Sequence, residues 1–282
     1  MGPGPPVKRE EPVLDRKVTD EEIAAAAAYE DLHVPALFQQ WAPRVLDAAA
    51  IRPGERVLDV ACGTGILARE VSSHLGDSGH VAGVDISPGM LSVASRLGPD
   101  IEWRVAPAEA LPYDTNTFDA VVSQFGLMFF EDRAAAVREM QRVLAPGGRV
   151  AVSVWASLDE SEAYPIEVEV LEHIAGHRAA DALRAPFVLG DPDELRRLLE
   201  DARLESVEIE THVGRACFPT VRTMVEADLR GWLPVMGVVL SEDEIERILS
   251  ETEQRLDQYV TPNGSVEFDT PALIVTGCKG IS

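Results

Sequence analysis

Between residues 56 and 155 the chain alternates between short apolar runs and stretches with helical spacing. The runs at 56–61, 81–85, 101–105, 118–123 and 149–155 are rich in Val, Ile, Ala and Phe and read as strands. Segments 66–75, 88–96 and 132–144 carry apolar residues on one helical face, and Pro88 stands early in its helix, where a missing N–H costs nothing. Pro53-Gly54 and Pro146-Gly147-Gly148 mark tight turns. Short β-rich runs joined by helices imply a parallel sheet with helices on both faces.

The flanks follow a different pattern. Residues 1–18 open with Gly-Pro-Gly-Pro-Pro, continue with mixed charge, and are expected to be disordered. Thr19 with Glu22 three residues on forms a capping box ahead of the alanine run at 24–28, so a helix begins there. Pro35 and Pro43 divide the next stretch into short helices that carry Leu37, Phe38, Trp41, Val45 and Leu46. Beyond Trp155 helices are predicted at 162–176, 191–202 and from Ser241 to about Tyr259. Strand-like runs lie at 204–218 and 266–279, and 220–237 is mixed and apolar. No internal repeat breaks the chain, so a single domain over 19–282 is expected.

Charge and cysteine content narrow the chemistry. The 282 residues include 25 Lys plus Arg and 48 Asp plus Glu, a formal net charge of −23. That balance argues against nucleic-acid phosphates and anionic membranes as partners. Cys62, Cys217 and Cys278 are far apart, which predicts neither disulfides nor a metal site. The first residues have no apolar secretory core, and Pro6 occupies the Ser/Thr position of a myristoylation pattern. No apolar run has the length of a membrane span, and the expected location is the cytoplasm. Asn263-Gly264-Ser265 matches a glycosylation sequon but reads as a turn.

The candidate chemistry sits at the ends of successive predicted strands. Gly63-Thr64-Gly65 turns the first strand into a helix, letting a ligand approach the backbone and the first helical N–H groups. Asp59, four residues earlier, would repel a pyrophosphate and suits a ligand carrying an amine. Asp85 lies 22 residues beyond Gly63, where a carboxylate can accept hydrogen bonds from ribose hydroxyls. Ala106 to Pro112 follow the third strand, and Ser123 to Met128 the fourth. The glycine turn with Asp85 also satisfies a dinucleotide fingerprint. Asp59, Leu111-Pro112, Phe118-Asp119 and the Leu144 to Arg149 turn point elsewhere.

With those pieces the chain resembles the class I S-adenosylmethionine-dependent methyltransferases, most closely in 55–155 the ubiquinone/menaquinone biosynthesis methyltransferases and their small-molecule relatives. The resemblance implies an α/β, Rossmann-like doubly wound sheet of seven strands. That sheet is mostly parallel and ends in an antiparallel hairpin of 204–218 and 266–279. It further implies a helical cap at 19–54, a cofactor-binding core at 55–155, acceptor-binding helical insertions within 156–264 and a final strand at 265–282. The lid that selects the acceptor would combine 19–54, 156–190 and 219–264. S-adenosyl-L-methionine would be the cofactor and S-adenosyl-L-homocysteine the product. Asp59 would orient the methionine amine, beside Ala61 and Thr64. Gly63 and Gly65 would let the methionine approach, and Asp85 would hold the ribose. Ile86 and Met90 would pack on the adenine, Ala108 would offer it an N–H, and Gln124 would offer a carbonyl to the amine. Pro107 replaces an acidic residue frequent in the family, so either Glu109 or backbone groups read the adenine amine.

Methyl transfer from a sulfonium is an in-line displacement that positioning and electrostatics can carry. A base is required only for a protonated nucleophile. No catalytic residue is evident; His33, Tyr164 and His173 are the candidates, with His173 and His177 placed on one helix face beside Glu169. Tyr29, Phe38, Phe125 and Met128 are the candidate acceptor contacts, which predicts a small apolar or aromatic acceptor and a monomer or homodimer. A cyclase or scaffold that keeps the cofactor without methyl transfer, and an NAD-dependent oxidoreductase, are the alternatives.

Overall fold

The computed structural model describes residues 18–281, so the expectation of disorder over 1–18 falls, except for Val18, outside the described residues. Seven strands form one sheet in the order β3-β2-β1-β4-β5-β7-β6. The strands are β1 Arg56–Val60, β2 His80–Asp85, β3 Glu102–Val105, β4 Phe118–Gln124, β5 Leu144–Trp155, β6 Leu204–Phe218 and β7 Val266–Lys279. The first five are parallel to one another. β7 inserts antiparallel between β5 and β6. The fold is the seven-stranded, mostly parallel sheet with an antiparallel end that the sequence predicts.

Side-chain alternation along the strands divides the core. Leu58 and Val60 of β1, Val121 of β4 and Val150 and Val152 of β5 face one layer. Val57, Ala120, Val122 and Ala151 face the other, against α2 (Ala42–Ala48) and α3 (Ile66–Leu75). With a period of two, Asp59 lies on the face of Val57, towards α3. The remaining core helices are α4 (Pro88–Leu97) and α5 (Arg133–Val143).

The N-terminal cap begins as expected. Thr19 and Glu22 close a capping box on α1 (Asp20–His33). Pro35 and Pro43 open two of the short helical segments expected next: a π-turn at Val34–Phe38 and, after a 3₁₀ turn at Gln39–Trp41, α2. Each proline sits in the first turn of its segment, where its missing N–H breaks no bond. α1 packs on α4 because Gly89 lets them close; a Cβ there would lie 2.8 Å from the Glu22 carbonyl oxygen.

After β5 come α6 (Tyr164–Ala175), α7 (His177–Arg184) and α8 (Pro192–Asp201). Between β6 and β7 lie α9 (Val221–Ala227), a π-turn at Asp228–Trp232, α10 (Leu233–Val235) and α11 (Glu242–Arg255). Gly176, at φ 85°, ends α6, so His177 opens the next helix. This corrects the expected single helical face for His173 and His177. β5 also starts five residues earlier than predicted, because Leu144 already pairs with Phe118 before the glycine turn.

Candidate functional site

At the carboxyl ends of the parallel strands a cavity of about 560 Å³ opens, the position where doubly wound sheets bind ligands. One wall is the loop after β1, with Asp59, Ala61, Cys62, Gly63 and Thr64. The loops after β2 and β3 supply Asp85, Ile86, Ser87 and Met90, then residues 106–109. Gln124 ends β4 and Phe125 and Gly126 follow it, and Tyr29, Ile66, Leu67, Phe129, Phe130, Glu131 and Trp232 complete the lining.

Backbone geometry shapes this loop. Ala61 and Phe125 hold φ of 56° and 54°, left-handed values that cost non-glycine residues energy and gather at functional sites. The two loops meet closely: a Cβ on Gly126 would lie 2.5 Å from that of Ala61. Gly63 has φ 55° and open space where a Cβ would be. Gly65, at φ 86°, is not part of the cavity lining; a Cβ there would lie 2.5 Å from the Trp103 ring. The missing side chain of Gly65 makes room for the indole that supports the turn. Trp103 is fixed by a 2.9 Å bond from its indole N–H to the Gly98 carbonyl. Sequence reasoning missed Trp103, because nothing local to it announces a contact across the sheet.

Asp59 is 1% exposed. One carboxylate oxygen accepts the Ala68 N–H at 3.0 Å, and the other has no partner. Burial pushes its carboxyl well above the usual range; the Ala68 bond opposes this and the Asp85 charge adds to it. Asp85 accepts the N–H groups of Gly63 and Ser87, each at 2.8 Å. Desolvation raises its carboxyl too, against those backbone donors. The Gln124 amide donates to the Phe38 carbonyl at 3.2 Å, and its own oxygen is buried without a partner. Glu109 accepts the Asp132 N–H. The cap is tied to this wall by Arg69, which bonds the Thr64 carbonyl and pairs with Glu30 of α1 at 2.7 Å.

Of the predicted acceptor contacts, Tyr29 and Phe125 line the cavity. Phe38 stands behind them, with ring centroids 5.5 Å from Tyr29 and 5.6 Å from Phe125, and Met128 is packed in the core. His33 stacks on Tyr29 at 5.4 Å, off the cavity wall, and burial lowers its pKa to about 4, so it is neutral at pH 7. Tyr164 lies in the cap between Phe187 and Phe268, and His173 is exposed on α6; neither lines the cavity. Phe129 and Trp232, 5.0 Å apart, also line it. Their only sequence signal was apolar character near a strand end and in the insertion.

A doubly wound sheet closed by an antiparallel pair, with a largely apolar cavity carrying a few buried carboxylates at its strand ends, defines a methyltransferase-like α/β domain. Residues 58–152 match the family model described as "Methyltransferase domain". The ubiquinone/menaquinone biosynthesis C-methyltransferase UbiE of Enterobacter sp. (strain 638) is 33% identical over 204 residues, covering 66% of this chain and 81% of that protein. UbiE of Hahella chejuensis is 41% identical over 142 residues, 48% of this chain and 57% of that protein. A phosphoethanolamine N-methyltransferase of Haemonchus contortus, solved with S-adenosylhomocysteine, shares the fold at a TM-score of 0.59 and 19% identity, over 95% of this chain and 59% of that one. The chain belongs to the class I S-adenosylmethionine-dependent methyltransferases, among the relatives of UbiE. Its cofactor is S-adenosyl-L-methionine, which sets aside the nicotinamide alternative. Among the described residues no helix is long and apolar enough to cross a membrane.

Proposed function

We propose that the protein methylates a small, apolar and aromatic molecule, with both reactants meeting in the 560 Å³ cavity. The residues present suit the cofactor. Asp59 and Gln124 each offer a buried oxygen without a partner, which an amine would satisfy. Asp85 presents a carboxylate oriented by two backbone donors, so its remaining lone pairs can take ribose hydroxyls. Ile86 and Met90 supply apolar surface for an adenine, and Ala108 a backbone N–H beside it. Glu109 already accepts from Asp132, which favours backbone groups for reading the adenine amine. When bound, the cofactor supplies an activated methyl group on a cationic sulfur.

The single observation behind the acceptor class is the aromatic side of the cavity. Tyr29, Phe125, Phe129, Phe130 and Trp232 line it together, alongside Ile86 and Met90. Such a wall stacks on an aromatic ring and excludes water, which strengthens the electrostatics of the displacement. Desolvation and nearby acids push the Tyr29 hydroxyl above its ordinary pKa, so it stays neutral and can donate a hydrogen bond to an acceptor oxygen. No histidine lines the cavity, so proximity and orientation carry the rate for an acceptor that is already a good nucleophile.

Two measurements test this. Asp85→Ala should weaken S-adenosylhomocysteine binding by about 1–3 kcal/mol, the usual loss for a charged hydrogen-bond partner; unchanged affinity by calorimetry removes Asp85 from the cofactor site. Labelled methyl transfer should then be followed by mass spectrometry across phenols, quinols and polar amines. Turnover confined to polar aliphatic amines would overturn the aromatic reading. Tight cofactor binding with no turnover on any acceptor would favour a scaffold or cyclase.

A further inference from the structure

Four carboxylates line the cavity, those of Asp59, Asp85, Glu109 and Glu131, and no lysine, arginine or histidine does. The cofactor accounts for two of them: Asp59 holds a buried oxygen without a partner, and Asp85 is oriented by two backbone donors. Glu109 is tied to the backbone N–H of Asp132 at 3.3 Å, the residue that caps α5. Glu131 has no such tie. It is exposed where it lines the cavity, and it forms neither a hydrogen bond nor an ion pair with any described residue.

The bases on the adjoining segments are engaged elsewhere. Arg133 donates to the Met128 carbonyl at 2.8 Å, and Arg69 pairs with Glu30 at 2.7 Å. Arg230, on the π-turn that carries Trp232, pairs with Glu242 at 2.8 Å. Aromatic rings adjoin the free acid. Phe129 and Phe130 precede it in the chain, and Phe129 packs on Trp232. The indole N–H of Trp232 is anchored to the Ala182 carbonyl at 2.8 Å, so this part of the wall is built rather than loose.

An acceptor that carries an anion meets two costs in such a cavity. It loses water, and it faces like charges across a medium that screens them less than bulk water does. A site for carboxylates or phosphates normally offsets both with arginine or lysine donors, and the lining holds none. A neutral ring escapes both costs. A ring with an ammonium group gains attraction from the acid and from the aromatic faces. The cofactor adds a single net positive charge, on its sulfur, so the cavity stays acidic when it is bound. We infer that Glu131 sets the charge selectivity of the acceptor site: aromatic acceptors that are uncharged or carry an ammonium group enter, and those carrying a carboxylate or phosphate are rejected. This rests on the aromatic reading of the cavity and adds the charge class of the molecule it takes.

The test reads binding, so it is independent of which atom is methylated. The full chain, saturated with S-adenosylhomocysteine at pH 7, is titrated by ligand-observed NMR with three phenols of similar size. These are 4-ethylphenol, tyramine and 3-(4-hydroxyphenyl)propionate. Tyramine should bind about tenfold tighter than the propionate, with 4-ethylphenol between them, because opposite and like charges act at a partly desolvated site. Potassium chloride should shrink the spread, since the charge at the opening is screened. Glu131→Gln should narrow the tyramine-to-propionate ratio by about threefold or more, and Glu131→Lys should narrow it further or invert it. Glu131 is exposed and unpaired, so neither variant threatens the fold. Equal binding of the three phenols to the unaltered protein, or a ratio unchanged in both variants, would overturn the inference. So would a Glu131→Gln protein that loses S-adenosylhomocysteine affinity and keeps the ratio, because Glu131 would then read the cofactor. Absence of binding by 4-ethylphenol and tyramine alike is a separate result: it sinks the aromatic reading itself.

Discussion

Gly63 and Gly65 look equivalent in the sequence, yet they answer to different constraints. Both hold positive φ, but only Gly65 faces a ring where its side chain would be. Gly63→Ala adds backbone strain of about 1–3 kcal/mol. Gly65→Ala adds similar strain and also overpacks Trp103, for a total of about 2–6 kcal/mol. Urea denaturation should show Gly65→Ala as the costlier change, and Trp103→Leu should recover part of that excess; equal costs would refute the packing role of Trp103. The contrast shows which site residues the sequence exposes. Asp59, Gly63 and Asp85 stand at spacings set by strand, turn and strand, so their chemistry is legible along the chain. Trp103 and the inward Phe129 and Trp232 act through contacts between distant segments, which no local spacing records.

Elements bracketed by turn residues were read to the residue. β6 and β7 match their predicted bounds because Pro219 ends the first and Asn263-Gly264 and Gly280 bracket the second, although a bulge between Glu205 and Glu208 breaks the alternation of β6. Helix α7 and the two π-turns were missed: α7 is short and alanine-rich, and π geometry is imposed by packing around Pro35 and Asp228. The cap does more than cover the cavity. β6 is a sheet edge, and such edges invite unwanted pairing. Gln40 closes part of it by accepting the Arg215 N–H and donating to the Arg215 carbonyl, both at 2.8 Å, as a neighbouring strand would. Arg44 adds a 2.9 Å bond to the Val213 carbonyl. Gln40→Ala removes two such bonds, a loss of about 1–3 kcal/mol. Hydrogen exchange should show faster exchange at Arg215 while β1 and β4 amides keep their protection relative to the global stability. No change at Arg215 would mean that the edge is held by packing alone.

At the scale of the whole molecule, the net charge of −23 and the buried acids act in the same direction. Asp59, Asp85, Glu167 and Asp228 all have folded pKa values raised by desolvation. The folded protein therefore binds protons that the unfolded chain releases, and the contribution of these groups to stability is fully present only below the ordinary carboxylate range of about 4. It falls as pH rises through that range towards the raised folded values. The carboxylates lowered by arginine partners, such as Glu139 and Glu172, have the opposite sign, but they are partly exposed pairs screened by solvent and of small net worth. General repulsion among surface acids also grows with pH and is screened by salt. The Tm is thus expected to fall from pH 5 to pH 8 and to recover partly with added salt. Glu167→Gln should flatten the pH slope without removing the salt effect, because it deletes one buried titration and leaves the surface field. A Tm that rises from pH 5 to pH 8, or a slope unaltered in Glu167→Gln, would place the protons elsewhere than in these buried acids. S-adenosylmethionine brings a cation and an amine to the unpartnered Asp59 oxygen. Its stabilising effect should therefore be larger at pH 8 than at pH 5, and scanning calorimetry with and without the cofactor measures that difference directly.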